Sequence, residues 1–238
     1  MGTETINANV PGHVGIILDG NRRFAKRLMK EPWKGHELGA EILEKLFEWC
    51  REIGVKEVTL YAFSIQNFNR PKKEFDYLMK IFNEEFERLL HDEKLHKRKV
   101  KIRVIGRIDK FPKDLYEKMK QVMDMTKDYD EYIINFAMAY GGREEIVDAT
   151  KKVAEKIKSG KLNVSEINEE SFSEALYMKD CPDLIIRTGG DKRTSNFLPW
   201  QSTYSEWFFL EKMWPEFEKE DLVNVIDGFK DRERRFGR

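Results

Sequence analysis

His13-Val14-Gly15-Ile16-Ile17-Leu18-Asp19-Gly20-Asn21-Arg22-Arg23 decides the fold. The apolar run Val14 to Leu18 has the length of a strand, stops at a carboxylate and a glycine, and passes at once into a basic, helix-like segment from Arg22 to Met29. A strand that turns directly into a helix is a corner of an open α/β sheet. Such corners gather at the sheet's carboxyl edge, where helix amino termini present N–H groups and partial positive charge. Phosphate is the natural ligand there. Asp19 would repel it unless a cation stood between them, and magnesium is the usual cation in that position.

Outward from this corner, strands and helices alternate. Leu38, Ile42, Leu46, Cys50 and Ile53 recur every three or four residues and predict a helix from His36 to Ile53, capped by Gly54. Val55 to Phe63 is a β-branched and aromatic strand, so the first unit is β-α-β and its strands are parallel. Ser64 to Arg70 is a polar loop, and Pro71 opens a long helix, with a stripe from Phe75 to Leu90, running to about Lys97. Strands at Val100 to Ile105, Tyr132 to Tyr140, Leu184 to Arg187 and Glu206 to Leu210 alternate with helices at Asp114 to Lys127, Arg143 to about Lys158 and Glu218 to Arg235. Lys161 to Lys179 is polar, with short helical turns. The pattern is α/β: a mostly parallel central sheet flanked by helices, forming a single domain over 13–238 behind a polar extension at 1–12.

Composition narrows the functions. Forty-three basic residues balance 43 acidic ones, which gives no electrostatic case for nucleic acid. Charged residues make up 36% of the chain, above the usual quarter or so, and Lys and Glu dominate them, as in proteins of hot-growing sources. Two cysteines form neither a disulfide framework nor a metal cluster, in keeping with a reducing cytoplasm. No window approaches the roughly 18 apolar residues of a membrane span, and the polar start lacks the plan of a signal peptide. Contact with a membrane would then be peripheral.

Parallel strands share one carboxyl edge. There the sequence sets Asp19-Gly20-Asn21-Arg22-Arg23, Ser64 with Asn67 and Arg70, Gly141-Gly142-Arg143, and Arg187-Thr188-Gly189-Gly190 with Arg193 and Ser195. Glycines let backbone amides approach a phosphate, and arginines grip it with a planar fork. Singly, an Asp-Gly is a turn, an arginine-rich helix a solvated face and a Gly-Gly a tight connection. Together on one edge they describe a site for two anionic ligands or one large one. His36 at a helix start is either a cap or a proton donor to such a ligand, while His13, His91 and His96 lack metal spacing and read as structural. The Phe75 to Leu90 stripe is core packing or the wall of an apolar tunnel. Neither a phosphate-binding Gly-x-x-x-x-Gly-Lys-Ser/Thr loop nor a Gly-x-Gly-x-x-Gly nor an Asp-Asp-x-x-Asp occurs, which sets aside P-loop kinases, dinucleotide oxidoreductases and trans-type prenyl synthases.

These residues resemble the cis-prenyltransferases, the undecaprenyl and dehydrodolichyl diphosphate synthase family. The resemblance runs through His13 to Ala25, Tyr61 to Arg70, Tyr140 to Arg143, Asp183 to Asn196 and Arg232 to Gly237. It implies Mg²⁺-dependent addition of isopentenyl diphosphate to an allylic diphosphate primer, farnesyl or geranylgeranyl, to give a Z-polyprenyl diphosphate. It also implies an apolar tunnel and a homodimer. By the same resemblance Asp19 and Asn67 are catalytic, and Asp19 positions Mg²⁺ with Glu206 assisting the metal. Gly20, Asn21, Arg22, Arg23, Phe24 and His36 hold the primer. Arg187, Arg193 and Ser195 clamp isopentenyl diphosphate, and Ser64, Asn67, Phe68 and Arg70 surround the reacting centre.

Two positions depart from the bacterial pattern: Pro32 stands where those enzymes place a primer-binding arginine, and Gln66 where they often carry Glu. Lys30 or Lys34 is the expected substitute for the missing charge. In the family an Arg-x-Gly ending reaches toward the partner's site, which assigns that role to Arg235-Phe236-Gly237. Two rivals remain. A noncatalytic prenyltransferase subunit would lack the aspartate and clamp this chain retains, and a phosphate-ester hydrolase or transferase would need a nucleophile or second metal ligand beside Asp19.

Overall fold

The computed structural model describes residues 10–231. Its centre is a six-stranded parallel sheet of β1 (His13–Ile17), β2 (Glu57–Ser64), β3 (Val100–Ile105), β4 (Tyr132–Tyr140), β5 (Leu184–Arg187) and β6 (Glu206–Phe209), in the order β3-β4-β2-β1-β5-β6. The helices are α1 (Asn21–Arg27), α2 (Lys34–Ile53), α3 (Lys72–Leu90), α4 (Glu93–Lys97), α5 (Lys113–Thr126), α6 (Gly142–Lys158), α7 (Glu169–Ser173) and α8 (Lys219–Lys230). The chain leaves β1 toward β2 and later returns on the other flank of β1 with β5. That reversal opens a crevice at the carboxyl ends of β1 and β5, where α/β sheets bind their ligands. Register places Ile17 beside Arg187, so Asp19 and Arg187 meet in the crevice.

All five residues of β1 are buried, as expected of a strand covered on both faces. On one face Ile16, Leu60, Val104 and Ile186 pack with Leu46 of α2, Phe86 of α3, Met119 of α5 and Ile226 of α8. On the other, Ile17, Tyr61, Ala137 and Ile185 pack with Phe197 and Leu198. Removing one such side chain to Ala costs about 2–5 kcal/mol, because the emptied space does not fully collapse.

Two stretches differ from the sequence reading. The long helix expected from Pro71 to Lys97 breaks at His91-Asp92 into α3 and α4. The Asp92 carboxylate accepts from the Lys94 amide at 2.8 Å, so it starts a new helix instead of continuing the old one. The segment read as a polar loop after β2 forms a 3₁₀ turn over Ile65–Asn69, held by the Ser64 amide donating to Asn67 Oδ1 at 3.0 Å. Residues 232–238, including the tail assigned a role across a dimer, and residues 1–9 lie outside the described residues.

Candidate active site

At the β1–α1 corner Gly20 adopts φ 107°, and a Cβ there would sit 2.7 Å from Cβ of Met213, so the turn requires glycine. The Asp19 backbone is pinned by two donors to its carbonyl, Thr188 Oγ1 at 2.7 Å and the Trp214 amide at 2.9 Å. Its side chain accepts from Arg187 Nη2 at 2.8 Å and from the Gly20 amide at 2.7 Å, with Arg23 Nη2 at 3.3 Å. Burial works against ionisation of Asp19, but the Arg187 bond and charge, Arg23 and the Gly20 amide outweigh it and hold the carboxyl below the usual range. Asp19 is therefore a charged oxygen donor at neutral pH.

Arg187 ends β5 with its side chain only 3% exposed. Besides Asp19 it donates to Ser195 Oγ at 2.6 Å and to the Arg193 carbonyl, which folds the Thr188–Asn196 loop back over the crevice. Arg193 itself projects outward, 62% exposed, against Asp191 at 2.8 Å. Asp191 also lies 3.5 Å from Arg23 and 3.9 Å from Arg187. Sequence reasoning passed over it; its position two residues after Gly189 in a motif rich in arginine was the available signal.

A second cluster forms on the α2–α3 side. Glu74, buried in the first turn of α3, accepts from Arg70 Nη1 at 2.8 Å and lies 3.5 Å from Arg22 and 3.7 Å from His36. His36, Arg70 and Arg22 hold its carboxyl below the ordinary range. His36 is buried, which lowers its own pKa despite Glu74, so its ring is neutral near pH 7, with Nε2 3.1 Å from Arg70. Glu74 was missed because a glutamate in the first helical turn normally reads as a solvated charge complementing the helix dipole.

Between the two clusters begins a cavity of about 590 Å³. Asp19, Asn21, His36, Ser64, Asn67, Arg70, Arg187 and Arg193 line its head, and Leu43, Phe47, Phe82, Phe86 and Phe136 line the passage that continues between α2, α3 and the sheet. The α3 stripe thus divides: Leu78, Phe82, Phe86 and Leu89 face the passage, while Phe75 packs against Phe63 and Phe68.

Several expected residues stand elsewhere. Glu206 opens β6 level with Leu184, and β6 runs parallel to β1, so Glu206 sits at the amino edge, about 10 Å of strand rise from the crevice. Within one chain it stands apart from the Asp19 carboxylate. Phe68 turns into the core against Phe63, Phe75 and Phe111 at 5.1, 5.8 and 5.6 Å. Phe24 lies under the Arg27 guanidinium, 5.0 Å from the ring centre. Lys34 donates to Tyr77 Oη at 2.7 Å and pairs with Glu37. Among the described residues no group of three or more His, Cys, Asp and Glu could hold a metal. One ionised carboxylate, hard oxygen and no thiolate, fits a magnesium ion whose remaining ligands are water and the oxygens of a diphosphate.

A parallel α/β sheet whose switch-point crevice joins a carboxylate, an arginine clamp and an apolar passage defines an enzyme that handles a diphosphate attached to a hydrocarbon. Comparison with known proteins agrees: residues 17–237 match the family described as putative undecaprenyl diphosphate synthase, and the chain belongs to that family of prenyltransferases. It is 49% identical over 231 residues to the tritrans,polycis-undecaprenyl-diphosphate synthase (geranylgeranyl-diphosphate specific) of Methanopyrus kandleri, covering 96% of this chain and 85% of that one. Its identity to the enzyme of the same name from Pyrococcus horikoshii is 48% over 238 residues, covering 99% and 90%. Among solved structures it superposes on lavandulyl diphosphate synthase from Lavandula x intermedia in complex with dimethylallyl diphosphate, with a TM-score of 0.92 and 32% identity over 98% of this chain and all of that one. For a probable undecaprenyl diphosphate synthase from Campylobacter jejuni the TM-score is 0.81 and the identity 35%, over 97% and 100%.

Proposed function

We propose that this prenyltransferase adds isopentenyl diphosphate repeatedly to geranylgeranyl diphosphate, forming Z double bonds and releasing diphosphate, with Mg²⁺ as cofactor. The observation that carries the reading is the single cavity that starts at the Asp19–Arg187 pair and continues as an apolar passage. Arg187, Arg193 and Ser195 grip isopentenyl diphosphate; the buried Arg187 Nε, without an acceptor among the described residues, points to an anion there. His36, Arg70, Arg22 and the first-turn amides of Gly20 to Arg23 hold the primer's diphosphate, and Asn67 keeps Ser64 at the reacting centre through its bond to the Ser64 amide. Asp19 would hold the magnesium ion, which when bound would neutralise charge on the departing diphosphate. The passage excludes water that would otherwise capture the allylic cation.

The enzyme works as a homodimer in the cytoplasm and meets a membrane only peripherally; no helix among the described residues is long and apolar enough to cross one. The test is incubation of labelled isopentenyl diphosphate and Mg²⁺ with dimethylallyl, farnesyl or geranylgeranyl diphosphate, with sizing of the extracted products. Long labelled products, formed most rapidly from geranylgeranyl diphosphate, are expected. Release of inorganic phosphate without chain growth would replace this reading with a hydrolase.

A further inference from the structure

The loop between α1 and α2 bends on a residue that the fold does not call for. α1 is closed by two backbone bonds, from the Met29 amide to the Lys26 carbonyl at 3.0 Å and from the Lys30 amide to the Ala25 carbonyl at 2.9 Å. This cap puts Met29 in the left-handed region, at φ 54°, where helices ordinarily place glycine. α2 follows the rule and ends on Gly54 at φ 101°. Methionine at such a bend strains the backbone, and its side chain gains no packing in return. Met29 is 99% exposed, and Leu28 beside it 45%. Strain that packing does not offset points to a contact made outside the chain.

The surroundings indicate its chemistry. Residues 21–30 include Arg22, Arg23, Lys26, Arg27 and Lys30 and no carboxylate. Arg22 and Arg23 turn to Glu74, Asp19 and Asp191, and Arg27 pairs with Glu216. Lys26 and Lys30, exposed on either side of Met29, make no ion pair among the described residues. Glu31 is the one acidic residue that follows before α2. The loop's other side carries two half-buried rings, Trp33 at 6.5 Å from Tyr77, with Lys34 Nζ 5.0 Å from the Tyr77 ring centre. An apolar tip with flanking lysines and half-exposed aromatic rings matches a segment that lies in the interface of an anionic bilayer. Two apolar side chains fall far short of the roughly 800 Å² per partner of a stable protein interface, whereas shallow insertion among headgroups needs no complementary surface.

Resting on the reading of the substrates as prenyl diphosphates, we infer that the α1–α2 loop docks the enzyme on an anionic bilayer. Leu28 and Met29 enter the boundary between headgroups and acyl chains, and Lys26 and Lys30 meet the lipid phosphates. Along α1 from Asn21 to Met29 is about 12 Å at 1.5 Å per residue, so docking brings the crevice at Asp19 within about that distance of the lipid surface. A diphosphate with a hydrocarbon tail then exchanges between bilayer and enzyme over a short path.

The test is flotation of the full chain, without substrates, with vesicles of phosphatidylcholine alone or of equal parts phosphatidylcholine and phosphatidylglycerol. Binding to the mixed vesicles, weakened by salt, is expected. Met29→Gly relieves the bend and keeps the cap, so it should melt no lower than the parent, yet its partition onto mixed vesicles should fall about tenfold or more. Lys26→Gln should lower it about fivefold at low salt. Met29→Cys in a Cys181→Ser background, where Cys50 is buried, carries an environment-sensitive dye at the tip, and its emission should shift to the blue on mixed vesicles only. Undiminished binding by Met29→Gly, or a dye that stays in water on bound protein, would overturn the docking. So would a change in oligomeric state of Met29→Gly without vesicles, which would make the patch a contact between copies of this chain. If docking fails while isopentenyl diphosphate is still incorporated, only this inference falls; if docking holds and none is incorporated, only the substrate reading falls.

Discussion

Asp19→Asn keeps the size and shape of the side chain and removes its charge, so it separates electrostatics from packing. In the folded protein the carboxylate faces the Arg187 guanidinium at 2.8 Å, and that guanidinium is 3% exposed. A hydrogen bond to a charged group contributes about 1.5–3 kcal/mol, and stranding a buried charge costs about 3–5 kcal/mol. Two features reduce the loss: Asp19 is 28% exposed, and Asp191 remains 3.9 Å from Arg187. We expect about 2 kcal/mol, which for a chain of this size lowers Tm by about 4–8 °C. The difference should shrink in acid. Asp19 titrates below its ordinary value in the folded protein, so its contribution is present above the unfolded-state value and fades as the pH falls through the folded one. Turnover should drop much further, by roughly 10²–10³, because a preorganised charge at the leaving group is lost. Steady-state kinetics with saturating Mg²⁺, well below the variant's Tm, separates the two effects. Activity within tenfold of the parent would remove Asp19 from the chemistry and leave it as a structural partner of Arg187.

Arg193→Ala should raise KM for isopentenyl diphosphate far more than KM for the primer, since an exposed forked donor is lost from one clamp only; the reverse pattern in initial-rate kinetics would mean the two sites are exchanged. Glu74→Gln should lower stability in urea by about 2–4 kcal/mol and raise the primer KM, because Arg70, Arg22 and His36 lose their shared carboxylate. His13, buried against Thr59 Oγ1 at 2.7 Å, has its pKa lowered to about 4, chiefly by burial, against 6.5 unfolded. The unfolded chain takes the proton first, so stability falls as the pH drops from 6.5 to 4. His13→Gln should abolish about 3 kcal/mol of that fall in urea titrations at pH 7 and pH 4.

The sheet was legible because its strands satisfy a local rule. β4 and β5 follow nearly continuous apolar runs, as strands covered on both faces do, while the edge strand β3 alternates, with half-buried Lys101 and Arg103 between buried Val100, Ile102 and Val104. Asp19, Arg70 and Arg187 were legible for a related reason: parallel strands deliver their last residues to one edge, so position in the chain predicts position in space. The same rule sets Glu206, the first residue of β6, at the opposite edge of the sheet, so the metal role that the resemblance assigns to it does not follow from strand order within one chain.

Glu74 and the charges near the end of α3 share a different cause. Arg70 with Glu74, and Arg88 with Glu85, are spaced like the intrahelical pairs that decorate solvated helix faces, and nothing local marks them as otherwise. What distinguishes them is the partner across the gap, His36 and Glu44 on α2, fixed only when α2 and α3 are laid against the same sheet. The two helices therefore do opposite things at their two ends. At the head buried Glu74 gathers Arg22, His36 and Arg70, and separating them would strand charge in the interior, so this end is held rigid. At the other end Arg88 with Glu44, and Arg98 with Glu48, are exposed pairs that water readily replaces. The same two helices are thus joined by a buried carboxylate at one end and by exposed pairs at the other, and that difference rests on exposure, which the order of residues does not encode.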